Sequence, residues 1–180
     1  MSYQSPSYEV VERIGRVEIR NYDGYLAAET VVEGTLERAG NAGFRTLARF
    51  IFGANEATPG ESTKIAMTTP VAQVPEGDRF RIRFMMPGEY TTDTLPTPND
   101  ERVVIREVGP QQVAAIRYSG SWSKGGHDRH LRGLRETLEA RGHSTVGEPV
   151  WARYDPPWKP WFLRRNEIML EVDAPPPSSA

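Results

Sequence analysis

The sequence contains no cysteine, and only three of its 180 residues are histidine. The missing thiols exclude disulfides, iron–sulfur clusters and thiolate ligation of a metal. The three histidines (His127, His130 and His143) lie in one short segment, and a three-histidine metal site would need all of them. We therefore predict no intrinsic metal site, and His127 and His130 are the residues to inspect as metal ligands.

The chain also lacks an excess of positive charge and any long apolar run. Its formal net charge is −2, and phosphate binding needs a concentrated basic face, so we expect no nucleic-acid partner. No apolar run approaches the roughly 20 residues that span a membrane. Residues 1–5 show neither a basic leader nor the start of an apolar run, which predicts no secretory leader and a cytoplasmic location. With 38% hydrophobic and 26% charged residues, the composition is typical of one globular domain.

The order of predicted elements repeats once along the chain. Alternating apolar and polar residues predict strands, and apolar residues at helical spacing predict one helix in each half. The first helix begins after Thr35 and ends at Gly53, and the second ends at Gly142 after a leucine stripe. The predicted strands cover about 8–14, 16–32, 64–74 and 80–86 in the first half and about 103–108, 112–118, 150–154 and 166–172 in the second.

Two β-β-α-β-β repeats, at about 8–88 and 102–172, follow from this order. They predict an α+β fold of two four-stranded antiparallel sheets, each with one helix against it, related by a pseudo-twofold axis. Residues 1–7 form an N-terminal extension, and the Pro-rich stretch 87–98 connects the repeats. The tail, residues 173–180, has no core-forming residues and is expected to be disordered.

The start of the first helix is rich in small residues, since residues 39–43 include two glycines and two alanines. A glycine inside a helix costs roughly 1 kcal/mol relative to alanine, so a compensating role is expected. One explanation is close packing of the helix on its own sheet. The other is a flat floor for an apolar ligand, with contacts from Phe44, Leu47, Ala48 and Ile51.

The loop at residues 154–165 combines prolines, aromatic residues and cations. Its prolines stiffen the chain around Trp158 and Trp161, and an exposed aromatic cluster with a basic rim suits a flat apolar molecule that carries carboxylates. The alternative is that the loop folds back and its aromatic side chains fill the end of the fold. The cations of the rim are Lys159, Arg164 and Arg165.

Several stretches resemble the SOUL/haem-binding protein family. The opening Tyr-Glu-Val-Val-Glu of residues 8–12 leads to Val-Glu-Ile-Arg-Asn-Tyr at 17–22. Further on come Phe-Ile-Phe-Gly-Ala-Asn at 50–55, Met-Thr-Thr-Pro-Val at 67–71 and Arg-Arg-Asn-Glu at 164–167. The resemblance is collinear over about residues 8–172, and the order and spacing of the last two elements make it specific.

The resemblance implies a distorted eight-stranded antiparallel barrel flanked by two helices. It also implies non-covalent binding of haem or another tetrapyrrole in a shallow apolar groove with a basic rim. The groove would be formed by the first helix and the loop before the last strand. Carried over by position, Phe44, Leu47 and Ala48 would contribute from the helix. Lys159 would lie nearest the propionates, and Arg164 and Arg165 would assist.

The histidines depart from the family pattern. A histidine in the N-terminal half has been considered as an axial iron ligand in parts of the family, and here no histidine precedes His127. We therefore predict a small hydrophobic ligand with carboxylates that is held without strong axial ligation. His127 and His130 fall at the start of the second helix, where a solvent-edge position is expected.

Two other functions are compatible with the sequence. The fold also resembles multidrug effector-binding domains and gyrase-inhibitor-like proteins, some of which bind cations or hydrolyse electrophiles. In that case Glu167, with a pKa raised in an aromatic groove, would act as general acid or base near Tyr118 and Tyr154; alternatively, Glu167 pairs with a neighbouring arginine. The other function is a protein-interaction module with a vestigial pocket. We predict a binding protein rather than an enzyme.

Overall fold

The computed structural model describes residues 3–173. Its helices are α1 (Leu36–Ile51) and α2 (Lys124–Ala140), and a short 3-10 helix covers Trp161–Leu163. The strands are β1 (Tyr8–Ile14), β2 (Val17–Tyr22), β3 (Tyr25–Glu33), β4 (Asn55–Glu56), β5 (Val71–Glu76), β6 (Arg79–Met85), β7 (Thr97–Pro98), β8 (Val104–Val108), β9 (Gln111–Tyr118), β10 (Thr145–Arg153) and β11 (Asn166–Val172). The predicted α+β class is confirmed. Of the tail predicted over 173–180, residues 174–180 lie outside the described residues.

The first of two compact units comprises residues 3–6 and 24–109. Its antiparallel sheet has the strand order β5-β6-β3-β8. Helix α1 packs on β3 and β6, and its apolar stripe enters a core that includes Leu47, Phe50, Ile82 and Phe84. The one-sided apolar pattern of α1 therefore faces the sheet.

Both ends of α1 lie where the sequence predicts them. The Thr35 hydroxyl accepts a hydrogen bond from the backbone N–H of Arg38 at 3.4 Å, which caps the first turn. The helix ends at Ile51, and Gly53 has φ of 121°, a conformation that favours glycine. The residues next to each end of α1 therefore determine where this helix begins and ends.

Gly43 explains why α1 is rich in small residues. A Cβ atom built at this position would lie 2.2 Å from Cγ1 of Ile82 on β6. Ala39 and Gly40 are buried on the same helix. Close packing of α1 on its own sheet is therefore confirmed as the role of Gly43, which faces the protein rather than a ligand.

Replacing Gly43 by alanine is expected to lower the free energy of unfolding by about 1–3 kcal/mol, because the clash with Ile82 outweighs the gain in helix propensity. Gly133→Ala is the matched control, since Gly133 is also helical and a Cβ there meets nothing within 4 Å. The control is expected to raise the free energy of unfolding by about 0.5–1 kcal/mol. Urea denaturation measures both changes, and an equal shift at the two glycines would contradict the packing explanation.

The second unit comprises residues 7–23 and 110–173. Its antiparallel sheet has the order β1-β2-β9-β11-β10. Helix α2 covers one face, where Leu134 and Leu138 pack with Ile116 and Ile168. A separate cluster includes Val113, Tyr22, Ala115 and Met169. Because side chains alternate along a strand, Glu167 lies on the face of β11 away from α2.

Helix α2 also follows local signals at both ends. The Ser123 hydroxyl accepts from the backbone N–H of Gly126 at 3.3 Å and caps the first turn. Gly142, just beyond the helix, has φ of 73°. Within residues 3–173, no helix is long and apolar enough to cross a bilayer.

Strand boundaries and pairing differ from the sequence prediction. The prediction of a single strand over 16–32 is wrong. Strand β2 ends at Tyr22 and β3 begins at Tyr25, and the two strands belong to different units. Strand β8, predicted to open the second repeat, pairs with β3 in the first unit, and β2 pairs with β9 in the second. The compact units therefore do not coincide with the sequential halves. Closure of the strands into a barrel remains a prediction.

Candidate functional site

Phe44 is the most accessible of the four α1 residues predicted to contact a ligand. It is 39% exposed, and its ring centroid lies 5.4 Å from that of Phe84. Ala48 is partly exposed. Leu47 and Ile51 are 0% and 1% exposed and belong to the core of the first unit. A ligand on this surface would meet Phe44 and Ala48 directly, with Leu47 and Ile51 in the core behind them.

The loop between β10 and β11 presents its aromatic side chains to solvent. Trp158 is 81% exposed, Trp161 is 60% exposed and Phe162 is 57% exposed. The expectation that the loop folds back and buries these rings is therefore wrong.

Polar bonds within the loop engage Lys159 and Arg164. Nζ of Lys159 lies 2.6 Å from Oδ1 of Asp155. Arg164 donates to the carbonyl oxygens of Lys159 at 2.8 Å and of Pro157 at 2.5 Å. Burial alone would raise the pKa of Asp155, but the Arg165 backbone N–H and the Lys159 ammonium outweigh it and lower that pKa. Lys159 would thus have to leave Asp155 to pair with a ligand carboxylate.

Glu167 lies at the centre of a buried charge cluster in the second unit. Its side chain is 0% exposed. It accepts hydrogen bonds of 2.8–3.2 Å from Arg20, Arg165 and the Tyr154 hydroxyl. Arg20 is 3% exposed and also donates to the Tyr22 hydroxyl at 3.0 Å. The expectation that Glu167 pairs with a neighbouring arginine is confirmed.

The same contacts argue against Glu167 as a general acid. Burial alone would raise its pKa, but the hydrogen bonds and charges of Arg20 and Arg165 outweigh burial and hold the pKa below its ordinary value. The predicted raised pKa is therefore wrong. Tyr154 does reach this carboxylate, but the ring of Tyr118 stacks on His130 with centroids 4.1 Å apart. Burial raises the pKa of Tyr118 to about 12. The Tyr118 hydroxyl therefore stays protonated near neutral pH and is no better suited than Glu167 to act as a general base.

The two histidines considered as metal ligands are already packed or bonded. His127 is 3% exposed, so its predicted solvent-edge position is wrong. Its ring centroid lies 3.4 Å from that of Trp151, and neither ring nitrogen has a hydrogen-bond partner among the described residues. His130 Nδ1 lies 2.7 Å from the carbonyl oxygen of Gly126. In the part of the chain that the structure describes, no three His, Asp or Glu side chains cluster as a metal site would require.

An arginine-lined hollow of about 470 Å³ in the second unit was not predicted from the sequence. It lies among the β1–β2 turn, the end of β9 and the loop before β11. Because these three segments are far apart in the chain, no local motif marks the hollow, and only the folded sheet assembles it. It is lined by five arginines together with one carboxylate and four uncharged residues: Arg13, Arg16, Arg117, Arg164, Arg165, Glu18, Gly15, Tyr118, Ser119 and Leu163.

Solved structures share this α+β arrangement and define its structural class. The C-terminal domain of EcmrR superposes with a TM-score of 0.63 at 10% identity, covering 92% of this chain and 98% of that one. A hydrolase from Listeria innocua superposes with a TM-score of 0.61 at 11% identity, covering 88% of this chain and 92% of that one. At such identities the likeness shows the fold alone.

Sequence comparison identifies the family within that class. The family model described as SOUL heme-binding protein matches residues 3–171, so the chain belongs to the SOUL haem-binding family. Heme-binding protein 1 of Mus musculus is 28% identical over 155 residues, which cover 82% of this chain and 78% of the mouse protein.

Proposed function

We propose that this protein binds haem or another tetrapyrrole non-covalently, at an apolar surface with a basic rim and without strong axial ligation of iron. Membership of a haem-binding family is the observation that carries the proposal. Within the first unit, Phe44 and Ala48 supply accessible apolar contacts, backed by Leu47 and Ile51. Within the second, Trp158 and Trp161 supply exposed aromatic faces on which a flat ring can stack.

The cations of the second unit fit the carboxylates of such a ligand in different ways. Lys159 keeps 36% side-chain exposure, and a partly exposed ion pair of this kind contributes little to stability. Lys159 can therefore exchange Asp155 for a ligand carboxylate. Arg164 is bonded to backbone carbonyls and remains a fixed positive charge that attracts the ligand from a distance, whereas the charge of Arg165 is offset by Glu167 and assists less.

Binding without a strong axial ligand is supported by the state of the two histidines. His127 is 3% exposed and its ring packs against Trp151, so its nitrogens are not accessible to a ligand bound at the surface. Nδ1 of His130 lies beside a carbonyl oxygen, and its ring is stacked on Tyr118. The porphyrin ring and its carboxylates, which are common to haem and to metal-free porphyrin, would then dominate the affinity.

Titration with haemin and with protoporphyrin IX tests this function. Each is expected to give a saturable Soret change at about 1:1, with dissociation constants that agree within about threefold.

Phe44→Asp and Lys159→Ala, assayed separately, are each expected to weaken binding by about tenfold through the lost apolar contact or charge. Phe52→Ser is the control, because Phe52 is 61% exposed but is not a proposed contact. His130→Ala is also expected to bind normally. Failure of both ligands to bind below roughly tens of micromolar would overturn the proposal.

A further inference from the structure

The loop before β11 carries a cluster of apolar side chains that no part of the described chain covers. Within six residues, Trp158, Trp161, Phe162 and Leu163 are 57–81% exposed. We call these four residues the apolar tip. Phe162 and Leu163 have no part in the proposed tetrapyrrole contacts. Grouped exposed apolar residues mark an interaction site, whereas single ones are ordinary on a protein surface.

The apolar tip is held in this exposed course by its own loop. Asp155 binds the Lys159 ammonium and accepts from the backbone N–H of Arg165. Arg164 bridges the carbonyl oxygens of Pro157 and Lys159. A pre-organised loop loses little conformational entropy when it binds, so these contacts favour docking of the tip as it stands.

The arginine-lined hollow borders the apolar tip, because Leu163 lines the hollow as well as belonging to the tip. Among residues 3–173, neither Arg16 nor Arg117 forms an ion pair, and Arg16 makes only a 3.1 Å hydrogen bond to the carbonyl oxygen of Arg117. Arg13, by contrast, is paired with Glu18. Arg16 and Arg117 therefore leave two guanidinium groups available in the hollow, although the formal net charge of the whole sequence is −2.

We propose that this surface docks on an anionic phospholipid bilayer. The apolar tip enters the interfacial layer, where tryptophan is favoured because its ring is apolar and its N–H remains hydrated. Arg16 and Arg117 meet the lipid phosphates, to which guanidinium groups bind through paired N–H donors. A bilayer presents apolar chains directly beneath a layer of anions, which matches the adjacent apolar and basic groups of this surface.

Vesicle co-sedimentation tests the proposal on the full chain. We expect partition onto vesicles of phosphatidylcholine and phosphatidylglycerol at roughly 3:1, a blue shift of tryptophan emission on binding, and much weaker partition onto pure phosphatidylcholine. The double variant Phe162→Ser/Leu163→Ser is expected to reduce partition about tenfold through lost insertion. Arg16→Gln/Arg117→Gln is expected to reduce it by about tenfold or more through lost charge.

Matched controls separate this surface from the rest of the protein. Phe52→Ser removes an equally exposed apolar side chain, and Arg135→Gln/Arg141→Gln removes two exposed charges towards the end of α2. Both controls are expected to keep partition within about twofold. Haemin titration of the tip and hollow variants is expected to match the unsubstituted protein, which distinguishes this proposal from the tetrapyrrole function. The proposal is overturned if the protein ignores anionic vesicles. It is also overturned if the tip variant partitions normally, or if the two variants lose a protein partner while vesicle binding is absent.

Discussion

Replacing Glu167 by glutamine is expected to lower the free energy of unfolding by about 3–5 kcal/mol. The amide fills nearly the same volume but carries no charge. It would leave the guanidinium of Arg20, which is 3% exposed, with Glu18 as its remaining carboxylate partner in place of two. The Tyr154 hydroxyl would also lose its anionic acceptor. The change is costly because Arg20 loses its fully buried partner and keeps only the partly exposed Glu18, and little water can reach the guanidinium to replace the lost contacts.

Urea denaturation near neutral pH measures this effect, and the arginines of the cluster provide an internal ranking. Arg20→Gln is expected to lower the free energy of unfolding more than Arg165→Gln does. The Arg20 side chain is 3% exposed and that of Arg165 is 29% exposed, so water can partly replace the contacts that are lost at position 165. Lys124→Gln is the control for an exposed pair, since it breaks only the surface contact with Asp128, worth less than about 1 kcal/mol. A loss at Glu167 no larger than the loss at Lys124 would show that the cluster is hydrated rather than buried.

His127 is expected to make the folded state sensitive to acid. Burial lowers its pKa to about 3, although the Asp128 carboxylate 3.6 Å away favours the charged form and only partly offsets burial. Lys124 and His130 also disfavour the charged form. Because the unfolded chain takes up this proton near pH 6.5 and the folded chain does not, stability is lost as the pH falls below that value. The loss attributable to His127 is about 2 kcal/mol between about pH 7 and pH 5 and continues to grow towards pH 3.

His127→Leu tests this assignment because leucine keeps an apolar contact for Trp151 and cannot titrate. The free energy of unfolding of this variant is expected to fall by about 2 kcal/mol less than that of the unsubstituted protein over the same pH range. Leu131→Ala is the control for a substitution at the same helix–sheet packing, and it should lower stability without changing the slope against pH. An unchanged slope in His127→Leu would mean that the imidazole takes up its proton in the folded protein.

Short-range patterns predicted those features that depend on neighbouring residues. Thr35 caps α1 because its hydroxyl reaches a backbone N–H three residues on, and Gly53 adopts a positive φ after the helix. Alternation along β11 placed Glu167 on the face away from Ile168. The family resemblance was also readable, because its motifs are contiguous in the sequence, and the family model confirms it.

Features that combine distant segments could not be predicted in this way. The sequence of α1 fits two explanations for its small residues, and the position of Ile82 against Gly43 selects close packing. The segment predicted as one strand over 16–32 forms two strands, β2 and β3, which pair with strands of different units. Local alternation indicates which residues form a strand but not which strand pairs with it.

The amino-acid sequence by itself determined the two helices, the N-cap of α1, the faces of the strands and the SOUL family. Tertiary structure alone decided the states of the chemically interesting residues. Glu167 is ionised because Arg20, 147 positions away, lies beside it, and His127 is neutral because Trp151 from β10 helps to cover it. The reason is that secondary structure responds to neighbours within a few residues, whereas burial and ionisation depend on whichever distant groups folding brings into contact.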